Sequence, residues 1–178
     1  MPIEFEAKVL DVEPHEMAER ILRLGGRSVG ERLMRRYVYD VRAGDESRWI
    51  RLRDDGSAVT LTVKEIAHDG IDGTSETEVV VSGFEAADEI LGRIGFRAKS
   101  YQENRRASFE FGGAQLEIDS WPLIPPYLEI EGHSQEHVVR VADELGIAED
   151  ELTGENTVNV YARYGIDLTA IPELVFPG

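Results

Sequence analysis

The stretch IEFEAKVL, residues 3–10, decides how the rest of the chain is read. Ile3, Phe5, Ala7 and Val9 alternate with Glu4, Glu6 and Lys8. Neighbours on a β-strand point to opposite faces, so two carboxylates and an ammonium form one row and hydrocarbon backs it. The same alternation returns downstream. Arg51 and Arg53 oppose Ile50 and Leu52; Thr60, Thr62 and Lys64 oppose Val59, Leu61 and Val63. Glu76 and Glu78 oppose Thr77, Val79 and Val81, and Arg106, Ser108 and Glu110 oppose Ala107, Phe109 and Phe111. Glu117 and Asp119 oppose Leu116 and Ile118, and Glu129 and Glu131 oppose Leu128 and Ile130.

An ordinary antiparallel sheet with one wet face also alternates in this way. Here, however, the polar positions hold carboxylate pairs and Arg or Lys rather than a free mixture of Thr, Ser and Gln. Carboxylates two residues apart lie ~7 Å from one another along a strand, a spacing suited to sharing bound cations. The alternative to a wet sheet is an inside-out barrel with charged faces lining a lumen and apolar faces lying under helices. Seven carboxylates (Glu4, Glu6, Glu76, Glu78, Asp119, Glu129, Glu131) against five cations (Lys8, Arg51, Arg53, Lys64, Arg106) leave that lumen at −2. Two divalent cations would bring it to +2 and ready it for a polyanion. Oxygen donors without any cysteine suit Mg²⁺ or Mn²⁺ better than Zn²⁺.

The elements around these strands predict an α+β fold in one domain spanning residues 1–178. Strands are expected at 3–10, 36–41, 48–54, 58–65, 75–82, 105–111, 114–120 and 127–131, and eight is a number at which a barrel closes around an interior. DDGS at 54–57 and Gly112–Gly113 read as hairpin turns, and WPLIPPY at 121–127 as an excursion outside the ladder. One helix is expected from Pro14 to Gly25, a second from Phe84 to Gly95, a third after the N-cap Ser134, and a last over 156–164. GGRSVG at 25–30 reads as a helix C-cap and turn.

With 42% hydrophobic and 30% charged residues, the chain is globular rather than disordered. Its net charge of −16 argues against nucleic acid and anionic membranes as partners. No apolar run approaches the ~18 residues of a membrane helix, and the start shows no basic-then-apolar leader, so a cytoplasmic protein is expected. The four histidines are scattered; His133 and His137 share a helical spacing but lack a third ligand and read as surface residues. Tyr37 and Tyr39 share one face of a strand; Tyr39 reads as packing or a rim hydroxyl, and Tyr37 as a candidate tunnel residue. No Walker loop, nucleophile elbow or dinucleotide fingerprint is present.

The succession E-x-E-x-K at Glu4, Glu6 and Lys8, I-R-L-R at 50–53, T-V-K at 62–64, E-T-E at 76–78, L-E-I-D at 116–119 and L-E-I-E at 128–131 resembles the CYTH family, the triphosphate tunnel metalloenzymes. That family includes class IV adenylyl cyclases, thiamine triphosphatases and inorganic triphosphatases. The resemblance implies an eight-stranded antiparallel tunnel and a metal-dependent triphosphatase, with adenylyl cyclisation or binding without turnover as alternatives. It implies that Lys8, Arg51, Arg53, Lys64 and Arg106 grip a triphosphate-bearing molecule. It implies that Glu4, Glu6, Asp119, Glu129 and Glu131 hold two Mg²⁺ or Mn²⁺, and that Glu4, Glu6 or Glu131 positions the attacking water. Glu76 and Glu78 match acidic tunnel positions, and Arg163 is the candidate for a basic residue closing the tunnel from the last helix. The family often has Lys two residues before the strand arginine; here Asn104 stands there, with Arg105 beside it. Outer apolar faces left bare by the helices would suit a homodimer.

Overall fold

A computed structural model describes residues 2–177. Eight antiparallel strands close into a barrel in the order β2-β3-β4-β5-β1-β8-β7-β6, sealed by pairing of β2 with β6. They are β1 (Ile3–Val9), β2 (Arg27–Asp40), β3 (Arg48–Asp54), β4 (Val59–Ile66), β5 (Thr74–Val81), β6 (Ala98–Phe111), β7 (Ala114–Ser120) and β8 (Tyr127–Gly132). Helix α1 (Pro14–Arg23) follows β1, α2 (Phe84–Arg93) follows β5, and α3 (Gln135–Glu144) and α4 (Thr157–Arg163) follow β8. A two-residue strand, β9 (Glu173–Leu174), adds parallel to β6 at Tyr101 and Gln102.

Strand alternation sends the hydrocarbon outward, under the helices. Leu52, Leu116, Leu128 and Ile130 are fully buried there, each such side chain contributing ~1.5–3 kcal/mol. One cluster joins β1, β7 and β8 to α1 and α3 through Ala7, Ile21, Leu116, Leu128, Val138 and Val141. A second packs Ile50, Leu52 and Tyr39 against Phe84, Ala87 and Leu91 of α2. A third gathers Trp121, Tyr127, Tyr161, Leu168 and Leu174, where the proline loop and the C-terminal segment meet. Helix boundaries follow the caps: Ser134 accepts from the His137 amide, Asn156 from the Asn159 amide, and Pro14 opens α1.

Two strands are longer than their sequence suggested. β2 starts at Arg27 rather than 36, and β6 at Ala98 rather than 105, and the two pair over nearly their whole length. Gly25 does end α1, at φ +97°, but the chain enters β2 two residues later instead of turning. Gly30, at φ +141°, accommodates a bulge in that strand. These halves escaped the alternation test because both faces are polar: Arg32 and Arg36 point inward while Glu31 and Arg35 point out. Among the described residues no helix is long and apolar enough to cross a membrane.

Candidate functional site

The barrel encloses a cavity of about 460 Å³. Nine carboxylates and eight Lys or Arg side chains line it. They are not evenly mixed. β1 and β8 contribute Glu4, Glu6, Glu129 and Glu131, whereas β2 and β3 contribute Arg32, Arg36, Arg51 and Arg53. β3 lies four strands from β8 in either direction round the barrel, and β2 four from β1, so the two groups occupy opposite walls.

On the acidic wall Glu6 stands cross-strand from Glu131, and Lys8 from Glu129. Lys8, 2% exposed, lies 3.3 Å from Glu6 and 3.2 Å from Glu129. Burial alone would push its ammonium down, but those two carboxylates more than offset this and hold it charged. Lys64 donates to Glu4 at 2.8 Å and lies 3.3 Å from Glu76. Even so, burial raises the Glu4 carboxyl to about 7; Lys64 opposes the rise and Glu6 adds to it. Burial also raises Glu131, helped by Glu129 and Glu6, and it has no hydrogen-bond or ion-pair partner among the described residues. Glu117 is raised by burial as well. Glu129 moves the other way: Lys8 and Arg106 overcome its burial and hold it ionised.

The basic wall carries the mirror-image strain. Arg36 is buried, donates to Asn104, and lies with its guanidinium 4.6 Å from the Trp121 ring centroid. Burial, then repulsion from Arg51, Arg53 and Arg106, lowers it to about 9. Burial and the same kind of repulsion lower Arg53 to about 10. The Nε atoms of Arg36 and Arg51 are buried without an acceptor among the described residues. Glu78 answers part of this charge, accepting from Thr62 at 2.6 Å and from Arg51 at 3.3 Å. A wall of crowded cations and a wall of crowded carboxylates would each be relieved by a ligand of opposite sign.

Glu4, Glu6, Lys8, Arg51, Arg53, Lys64, Glu76, Glu78, Arg106, Glu129 and Glu131 all line this one cavity. Three expectations change. Asp119 is inside the barrel but fully buried behind Arg106, which it binds with both oxygens at 2.8 and 2.6 Å while also accepting from Asn104. Its position is that of an anchor for Arg106 rather than of a ligand on the cavity wall. Tyr37 faces outward and stacks on Phe84 at 5.1 Å, because parity groups it with Tyr39 and not with Arg36. Arg163 is 51% exposed and pairs with Glu155 outside the tunnel. Arg105 likewise points away, over Phe176. Sequence reasoning missed Arg36, Arg32 and Tyr127; the two-residue step Arg32–Met34–Arg36–Val38 is the available signal for the first two. Outside the cavity, His137 is not the surface residue expected: it is buried in contact with the Gly112 carbonyl and bonded by the His133 amide, because it closes the turn that starts the third helix.

Among the described residues no three carboxylates or imidazoles already converge as metal ligands do. The donor set is nevertheless the right one for a hard divalent cation: all oxygen, no thiolate, with Glu131 unpartnered and Glu4 and Glu131 destabilised as anions.

The CYTH domain model matches residues 2–161. No curated protein matches the sequence. Among solved structures, a conserved hypothetical protein from Pyrococcus furiosus is 22% identical over 86% of this chain and 97% of its own, with a TM-score of 0.74. A Vibrio parahaemolyticus structure described as a "putative adenylate cyclase" is 14% identical over 90% of this chain and 98% of its own, TM-score 0.74. A Hippeastrum "putative adenylyl cyclase", described as revealing a dominant triphosphatase activity, is 18% identical over 96% of this chain and all of its own, TM-score 0.60. At these identities the likeness is one of fold.

Proposed function

The chain belongs to the CYTH family, and we propose that it is a divalent-cation-dependent hydrolase of a triphosphate chain bound inside the barrel. The observation that carries this reading is the opposition of the two walls: Glu4, Glu6, Glu129 and Glu131 line one side of the cavity and Arg32, Arg36, Arg51 and Arg53 the other. A polyanion carrying its own divalent cations satisfies both at once.

Arg51, Arg53, Lys64, Arg106 and the newly placed Arg36 hold phosphate oxygens, the guanidinium forks giving bidentate contacts. Lys8 supports them from the acidic side. Glu4, Glu6, Glu129 and Glu131 are the residues that would hold Mg²⁺ or Mn²⁺. Bound there, the cations would neutralise charge building on the transferred phosphoryl group and make water a better nucleophile at neutral pH. Asp119 fixes the Arg106 guanidinium in place, so that it need not reorganise as the anion arrives. Glu76 and Glu78 pair with Lys64 and Arg51, and these two cations would exchange the carboxylates for phosphate oxygens. Glu4 or Glu131, whose carboxyls burial makes stronger proton acceptors, is suited to take the proton from the attacking water.

The test is product analysis with Mg²⁺ or Mn²⁺ and tripolyphosphate, ATP or thiamine triphosphate. Release of phosphate from the terminal position is the expected result. Cyclic AMP with pyrophosphate would replace hydrolysis by cyclisation, and tight binding with neither product would leave a polyphosphate sensor.

A further inference from the structure

We infer that Tyr127 is a substrate-contact residue whose phenolic hydroxyl donates a hydrogen bond to an oxygen of the bound phosphate chain, beside Lys8 and Arg106. This rests on the triphosphate-hydrolase reading above and deepens it. Tyr127 opens β8, and the two-residue step it shares with Glu129 and Glu131 turns it into the barrel, directly across from Asp119. It is 1% exposed, yet it lines the cavity. Its ring belongs to the aromatic cluster with Trp121, Tyr161 and Leu168.

The contrast with four of the five other tyrosines carries the inference; Tyr37, the fifth, bonds no described residue either, but it lies outside the barrel against Phe84. Tyr39 donates to Asp88 at 2.8 Å, Tyr101 to Glu103 at 3.1 Å, Tyr161 to the Pro122 carbonyl at 2.6 Å and Tyr164 to Asp11 at 2.8 Å. Buried hydroxyls are rarely left without a partner. As a residue Tyr127 is as buried as Tyr39 and Tyr161, but its hydroxyl bonds no described residue and is not among the sealed polar atoms without a partner, so it opens onto the cavity it lines. The neighbouring carboxylates are engaged by other donors, and neither accepts from Tyr127. Asp119 receives Arg106 and Asn104, and Glu129 receives Lys8 and Arg106. At a position that only packed, phenylalanine would fill the same volume without presenting a hydroxyl to the cavity. A donor left open beside two cations matches an anionic oxygen arriving from the cavity.

The experiment compares the full-length wild type with Tyr127→Phe and Tyr161→Phe, using tripolyphosphate and Mg²⁺. Steady-state kinetics, calorimetric binding and thermal melting are measured on each. For Tyr127→Phe, kcat/KM is expected to fall about 10- to 100-fold, the size of a hydrogen bond to a charged acceptor, with the melting temperature at or above wild type. Tyr161→Phe, which loses a satisfied bond in the same aromatic cluster, is expected to lower the melting temperature and leave kcat/KM unchanged. A Tyr127→Phe value within twofold of wild type, or a loss that Tyr161→Phe reproduces, would overturn the inference. Wild type that neither binds nor hydrolyses tripolyphosphate would overturn the hydrolase reading itself, and with it the hydroxyl's role.

Discussion

The two facing walls of the barrel are built from the same strand geometry and differ in how their charge is balanced. On the β1–β8 side, Lys8 and Lys64 are interleaved among the carboxylates, so Glu4, Glu6 and Glu129 have a partner and, among the described residues, Glu131 has none. On the β2–β3 side the arginines face one another, and Glu78 with Asp55 supplies the balancing charge at the edges. The acidic wall therefore holds a local shortage of cations, and the basic wall a shortage of anions. Overall net charge of −16 conceals this, because the repelling surface is outside and the attracting one is enclosed.

Breaking the support behind the basic wall has the largest expected effect. Asp119→Ala strands the half-buried Arg106 without its bidentate, fully buried partner, and loss of one member of such a pair costs about 3–5 kcal/mol. Thermal melting should drop by roughly 6–20 °C for a chain of this size. An unchanged melting temperature would mean that Arg106 finds equal support from Glu117 and Glu129.

Breaking the acidic wall separates function from stability. Glu131→Gln is expected to cut turnover of tripolyphosphate by about 100-fold or more, the scale of losing a charge-stabilising group at the reacting centre. The same change should raise the melting temperature of the metal-free protein, because Glu131 is crowded by Glu129 and Glu6 and has no partner to lose. On the basic wall, Arg53→Ala is expected to raise KM by about tenfold, the loss of a charged hydrogen bond, with a smaller change in kcat. Equal kinetics in Glu131→Gln and Arg53→Ala would remove the functional distinction between the walls.

The smallest expected effect is a pH limb. Glu4 titrates at about 7 in the fold against an ordinary value of 4.5, so the folded state favours its protonated form. Its contribution to stability is fully present below pH 4.5 and is lost as the pH rises through 7. Metal-free wild type should thus lose melting temperature between pH 5 and pH 8 relative to Glu4→Gln. Cation binding, which needs the ionised carboxylate, should weaken in wild type as the pH falls below 7. Parallel pH profiles for the two proteins would show that Glu4 does not titrate in this window.

The tunnel was legible wherever one face of a strand was apolar. Glu4, Arg51, Lys64, Glu76, Arg106 and Glu129 all follow from a step of two counted against Ala7, Leu52, Leu61, Phe109 or Ile130, and the CYTH resemblance followed from their order. It was illegible where both faces are polar. The first half of β2 carries Glu31, Leu33 and Arg35 outside, with Leu33 exposed, so Arg32 and Arg36 did not stand out from their neighbours. Tyr37 was read as a tunnel candidate because an aromatic at a strand centre has no sign of its own; its outward direction follows once Arg36 is known to face Arg53. Asp119 shares the parity of a lining residue, and only three-dimensional contact reveals that Arg106 stands between it and the cavity. Arg163 is a candidate only through the resemblance, as the basic residue of the last helix, and a helix of seven residues turns it outward to Glu155.

The central claim is that one enclosed space takes a cation on the β1–β8 wall and a polyanion on the β2–β3 wall. A crystal structure with Mn²⁺ and tripolyphosphate, using anomalous scattering to locate the metal, tests it most directly. The expected result is manganese bound among Glu4, Glu6, Glu129 and Glu131, with phosphate oxygens against Arg36, Arg51 and Arg53. Manganese and tripolyphosphate found on the outer surface, with the barrel interior still closed by Lys64–Glu4 and Lys8–Glu129 pairs, would contradict it.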